Sequence, residues 1–216
     1  KAMTTASFTE PGRFRAIAYL DGGRVVRVES PMPDPVLGET DVITNYSGYA
    51  DFGGFAFPTR VTQSQGGHPT LDLTVRDVAP NAAADIALPD AVRTAVERVT
   101  ADKVADGVWF LAGGSHNSVA IEMKDHVILV EAPLNDARAQ AVIEHVKGLV
   151  PGKPIRIVVN SHQHFDHAGG LRAAVAEGAI IVTQADNVPF FERAFAQENR
   201  IRPDAMAGAS GVVREG

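Results

Sequence analysis

The chain contains no cysteine. That excludes a disulfide framework, and it leaves the compartment unreadable from redox chemistry. No apolar run approaches the length of a membrane-spanning helix. No cluster of Lys and Arg stands out, and the net charge is −6, which argues against nucleic acid as the main partner. The opening residues Lys1-Ala2-Met3-Thr4 do not form a signal peptide. The expected location is periplasmic or secreted, with any signal peptide lying outside this chain and the cytoplasm left open as an alternative.

What is present is enough for a packed core: 45% of the 216 residues are hydrophobic, a size that permits one large domain or two small ones. Residues 8–80 read as β-rich. Arg13–Leu20 and Arg24–Glu29 flank Asp21-Gly22-Gly23, a strong hairpin turn. Val42–Tyr49, Gly54–Ser64 and Thr70–Val78 continue the pattern. Pro58 inside the fourth segment predicts an edge strand or a bulge. Phe14, Tyr19, Val25, Phe55 and Val61 could supply a covered face. Asn81–Leu88 reads as a small-residue linker, after which Pro89-Asp90 opens a helix with Val92, Val96 and Val99 on one face.

From Gly107 the pattern changes. Val108–Leu111, Ser118–Met123 and His126–Glu131 predict an antiparallel meander. Asn135-Asp136 suits the start of a helix striped by Val142, Val146 and Leu149, stopped by Gly152 and Pro154. Ile155–Val159 is a buried-type strand, a helix follows over Leu171–Glu177, and Ala179–Thr183 is a second buried strand. Pro189 suits the first turn of a last helix through Phe190, Phe191, Ala194 and Phe195. Alternating strands and helices imply parallel pairing with right-handed crossovers. Trp109, Phe190 and Phe191 read as core, His68, His126 and His145 as surface, and the Gly/Ala-rich tail 197–216 as poorly packed.

The chemistry is concentrated in Asn160-Ser161-His162-Gln163-His164-Phe165-Asp166-His167-Ala168-Gly169-Gly170. Three histidines and one aspartate fall within six positions, between a strand and a helix. Imidazole and carboxylate are good ligands for a borderline metal such as zinc. His162 and His164 are two apart, so in extended backbone they point to one side and can grip one ion. Asp166 and His167 come where the chain turns into the helix and can face a second ion. Gly169 and Gly170 allow close backbone packing. Asp166 also suits the N-cap of that helix, and the two roles are compatible.

This HxHxDH pattern resembles the metallo-β-lactamase superfamily, and the elements from Val108 to about Phe195 resemble the first half of its αββα sandwich. The stretch Gly54-Phe55-Ala56-Phe57-Pro58-Thr59-Arg60 and its surroundings resemble the half-barrel of periplasmic lipoprotein carriers. The expected fold class is α+β, an N-terminal antiparallel β meander followed by half of a metallo-β-lactamase sandwich. The expected division is a partial β-rich domain over 1–85, a linker and helix over 86–106, and the N-terminal half of a metallo-β-lactamase-like domain over 107–216.

The resemblance implies a hydrolase in which His162 and His164 hold the first zinc, and Asp166 and His167 the second. A water on the metal attacks an ester- or amide-like bond, and Asp166 orients it and takes its proton. Gly113-Gly114-Ser115-His116-Asn117-Ser118 resembles the family's substrate-side loop, so His116 is a candidate substrate contact or substitute ligand. Glu131, at a strand end where the family often has Asp, is a candidate acceptor for a ligand histidine. The family pattern also requires a further histidine for each metal and a bridging acid downstream, and no histidine follows His167. The chain is therefore expected to be a piece of a longer enzyme that holds one or two zinc ions, the alternative being a natural chain that has lost the chemistry; alone it is expected to bind zinc weakly, as a single ion, or not at all, and to be slow or inactive. Its partner would be a small-molecule substrate, with self-association through an uncovered sheet. The other reading is a lipid- or lipoprotein-binding module with a vestigial metal site.

Overall fold

Gly22 and Gly23 reverse the chain with φ of +56° and +77°, the pair of positive values that a two-residue hairpin turn requires and glycine adopts without strain. Gly66 and Gly67 repeat the device at +56° and +85°. In the computed structural model, which describes residues 3–9, 14–84, 86–200, 203–208 and 211–216, such turns join a six-stranded sheet in chain order. Its strands are β1 (Thr4–Phe8), β2 (Ala16–Asp21), β3 (Arg24–Asp34), β4 (Gly38–Asp51), β5 (Ala56–Gln65) and β6 (His68–Thr74). Arg13, expected to begin a strand, and Asp85, expected in the linker, lie outside the described residues.

Two expectations for this sheet are corrected. Pro58 is neither on an edge strand nor at a bulge: β5 lies between β4 and β6, and Pro58 stands opposite Tyr49 with the β4 register unshifted on either side of it. Proline is tolerated because its fixed φ suits extended backbone, and the hydrogen bond next to it, from the Val75 N–H to Thr59 O at 2.8 Å, needs no N–H from Pro58. Phe55 is not part of a covered face; it is 48% exposed in the turn just before β5 and stacks on Phe57 with ring centroids 6.3 Å apart.

The chain divides into two compact units, Lys1–Pro33 with Glu39–Arg93, and Asp34–Gly38 with Thr94–Gly216. The helix expected after Pro89 is a single turn, α1 (Asp90–Arg93), with no buried residue. Val92 and Val96 remain exposed. One turn leaves nucleation uncompensated by propagation or packing, and Val99 instead packs against the core. Thr100–Ala105, expected in the linker and helix, is strand β7 and pairs antiparallel with β8 (Val108–Ala112).

The second sheet has the order β13-β12-β11-β10-β9-β8-β7. β9 (Ser118–Glu122) and β10 (Val127–Val130) continue the antiparallel meander. β11 (Ile155–Val159) and β12 (Ile180–Thr183) then pair parallel. The tail expected to be loose contains β13 (Val212–Glu215), which adds parallel to β12, and Met206, which is buried in the core. Backbone pairing with β12 orders a segment whose composition offers little side-chain burial.

Cross-strand register sets the two faces. Ala120, Leu129, Val158 and Ile181 form one row, and all are buried completely. Against this core lie α2 (Asp136–Leu149), through Val142, Ile143 and Val146, and α4 (Leu171–Ala176), through Leu171, Ala173, Ala174 and Val175. α5 (Val188–Phe195) adds Phe191 and Phe195, with Pro189 in its first turn. Asn135 caps α2 by accepting from the Arg138 N–H at 3.0 Å, as its residue type predicts. The opposite row, Phe110, Val119, Val130, Val159 and Val182, is apolar and only partly covered.

Candidate metal centre

β10 and β11 run parallel and both end at the same edge of the sheet, the end of a parallel sheet where ligands characteristically bind. β11 delivers Asn160 and then the histidine-rich stretch. His164 has extended backbone, φ −64° and ψ 145°, and is the N-cap of a short helix, α3 (Phe165–Ala168). The sequence expected a helix only from Leu171; α3 adds a turn that swings Asp166 and His167 back toward His162. Asp166 is therefore not the N-cap but lies in the first turn of α3, leaving its carboxylate free to face the imidazoles.

The donor atoms converge. Ligand atoms of His162, His164 and Asp166 all lie within 4.8 Å of one another, and so do those of His116, Asp166 and His167. The rings of His162 and His164 are 4.8 Å apart, and those of His162 and His167 are 4.2 Å apart. Asp166 Oδ2 is 3.6 Å from His167 Nε2 and 3.2 Å from His116 Nε2. His116 comes from the β8–β9 loop, so the cluster joins segments that are 46 or more residues apart in the chain.

Each of three imidazoles is met on Nδ1 by an outer oxygen. Ser161 Oγ is 2.9 Å from His162 Nδ1, Ser115 Oγ is 3.1 Å from His116 Nδ1, and Glu131 Oε2 is 3.6 Å from His167 Nδ1. Where such an oxygen accepts the Nδ1 proton, Nε2 keeps a lone pair for a metal. Two imidazoles and a carboxylate in each group make a donor set that suits zinc, so the residues present fit that ion. Glu131 stands at the end of β10, facing the histidine stretch. It adopts φ +64° and accepts from Asn160 Nδ2 at 3.1 Å and from the Ser161 N–H at 2.9 Å.

The glycines hold these segments close. A Cβ at Gly169 would lie 2.2 Å from Leu134 O, and one at Gly170 would lie 2.4 Å from Ala139 Cβ. The sequence also concealed Arg138. It is wholly buried and donates to Arg98 O at 2.5 Å and Ala112 O at 3.0 Å, at the root of the His116 loop. An arginine in the first turn of a helix carries no sequence signal for such a role. Ser115 and Ser161 each meet the histidine next to them in the chain, a spacing without a distinctive signal, whereas the bond from Asn160 to Glu131 joins distant segments.

Residues 111–186 match the metallo-beta-lactamase superfamily. Over that segment the chain is similar to the superfamily. A linear primary-alkylsulfatase from Pseudomonas sp is 26% identical over 109 residues, 50% of this chain and 16% of that protein. An (R)-specific secondary-alkylsulfatase from Pseudomonas sp is 29% identical over 98 residues, 45% of this chain and 14% of that protein. The chain thus matches about a sixth of the length of these curated relatives. Among solved structures, a metallo-β-lactamase from Pseudomonas aeruginosa in a mono-zinc form is 26% identical with a TM-score of 0.41, covering 54% of this chain and 50% of that one. A metallo-β-lactamase from Hirschia baltica is 26% identical with a TM-score of 0.39, covering 53% and 51%. Among the described residues, no helix of this metallo-β-lactamase-like chain is long and apolar enough to cross a membrane.

Proposed function

We propose that the second unit carries the metal centre of a zinc-dependent hydrolase acting on an ester- or amide-like bond of a small molecule. The observation that supports this most directly is the convergence of His162, His164, Asp166, His167 and His116. The similarity to two alkylsulfatases makes alkyl sulfate esters the first substrate class to test.

His162 and His164 would hold one ion, and Asp166 and His167 the other. Bound zinc supplies Lewis acidity and brings the pKa of a coordinated water toward neutrality. Around it, this chain's residues orient and carry protons. Glu131 Oε2 faces His167 Nδ1 at 3.6 Å, where its charge favours the ring orientation that turns Nε2 to the cluster. Ser161 Oγ does the same for His162. The Asp166 carboxylate is half-buried between two imidazoles and is the acidic group placed to take a proton from the attacking water, through the oxygen that it does not give to the ion. Phe165 stands 57% exposed beside the cluster and offers an apolar surface to an alkyl substituent.

The test is zinc content together with hydrolysis of an alkyl sulfate, a nitrophenyl ester and nitrocefin by the 216-residue chain and by H164A. Zinc retained after dialysis by the parent chain and lost by H164A supports the reading, as does zinc-dependent turnover. Equal zinc content in the two proteins overturns it.

A further inference from the structure

We propose that His116 is the third protein ligand of the ion held by Asp166 and His167. This rests on the reading of the cluster as a metal centre. The sequence pattern assigns that ion two ligands from the motif, whereas zinc sites use three protein donors with one position open, or four when closed. The β8–β9 loop supplies the missing donor within this chain.

The spacing suits two ligands of one ion. Two ligand atoms each about 2.1 Å from one ion at a tetrahedral angle stand roughly 3.4 Å apart. Asp166 Oδ2 lies 3.2 Å from His116 Nε2 and 3.6 Å from His167 Nε2, values on either side of that figure. A charge-assisted bond from an imidazolium to a carboxylate would be about 2.7–2.9 Å. Asp166 Oδ2 is thus flanked by two Nε2 atoms at the separation of a ligand shell.

His116 is also prepared for the role. Ser115 Oγ is 3.1 Å from Nδ1 and can accept its proton, which leaves the Nε2 lone pair to the ion. The loop root is rigid. Gly113 adopts φ +108° against the backbone of Arg98, where any Cβ would lie 2.2 Å from Arg98 O. The buried Arg138 guanidinium ties that same carbonyl to Ala112 O. A side chain carried on a braced loop loses little conformational entropy when it binds.

The experiment is zinc titration of the 216-residue chain against a chromophoric chelator, repeated with H116A, H116Q, H116C and H164A, with circular dichroism to confirm folding. Cobalt absorption spectra report coordination number independently of activity. H116A is expected to lose one class of sites by more than the roughly 10–100-fold that removal of an outer partner costs. The other class, which is sensitive to H164A, should be retained. H116Q can still donate a hydrogen bond to Asp166 but is a poor zinc ligand, so it should behave like H116A, and H116C should restore binding. Unchanged zinc affinity and cobalt spectra in H116A overturn the His116 assignment while leaving the metal centre standing. Parent-like binding by H116Q overturns it in favour of a hydrogen-bonding role. A parent chain that binds no zinc overturns the metal centre and this assignment together.

Discussion

Asn160 at the end of β11 donates Nδ2 to Glu131 Oε2 at the end of β10, 3.1 Å away. The adjacent Ser161 N–H donates to the other carboxylate oxygen at 2.9 Å, so one side chain ties two parallel strands where the histidine stretch begins. E131Q replaces one acceptor oxygen with a second donor and leaves a buried polar group facing it unpaired. The expected loss is about 1–3 kcal/mol of stability, read from urea denaturation. A variant as stable as the parent would mean that the bridge does not hold the strand ends.

Glycine spacing makes an opposite pair of expectations. At Gly170 an added Cβ would meet Ala139 Cβ at 2.4 Å and Ala132 O at 3.1 Å. G170A should therefore force α2 from α4 and cost about 1–3 kcal/mol through overpacking. Gly148 is on the exposed side of α2 with open space around it, so G148A should stabilise by about 0.5–1 kcal/mol. Thermal unfolding of both variants checks the contrast, and a stabilising G170A would refute the close approach of the helices.

Acid sensitivity should centre on Asp204. Burial pushes its carboxyl up, but the Arg172 guanidinium, the Asn199 amide and the Met206 N–H outweigh that and hold it below the ordinary value of 3.8. Arg172 is buried and also donates to the carbonyls of Ala194 and Gln197. Because the folded state depresses this pKa, the associated stability is present above the unfolded value and is lost as pH falls through the folded one. D204N should be less stable at neutral pH and should show a shallower loss of stability below pH 3.8 than the parent chain. Urea midpoints between neutral pH and strong acid measure the difference, and parallel curves would exclude Asp204 as the group responsible.

Zinc should raise stability by mass action. At a free concentration 100 times the dissociation constant, the gain is about 2.7 kcal/mol. It should appear as a rise in Tm that EDTA reverses and that shrinks in H164A. No shift at any zinc concentration would count against occupancy of the folded cluster.

The motif and its strand–turn–helix setting were legible because local rules govern them. The apolar run Ile155–Val159 marks β11, Asn135 marks the start of α2, and paired glycines mark the hairpins. Local rules failed at Val92 and Val96, whose helical spacing met no surface to bury against, and at Val212–Glu215, where backbone pairing to β12 overrode a poor composition.

The sequence by itself determined which donor types exist and that His162, His164, Asp166 and His167 stand together, since six consecutive positions cannot separate far. It did not determine that Asp166 leaves the N-cap to His164, nor that His116 comes within 3.2 Å of Asp166. Those follow from strand register and from the anchors at the buried Arg138 and the partly buried Glu131. Such contacts join residues distant in the chain, and their free energy is realised only when the sheet and helices have packed.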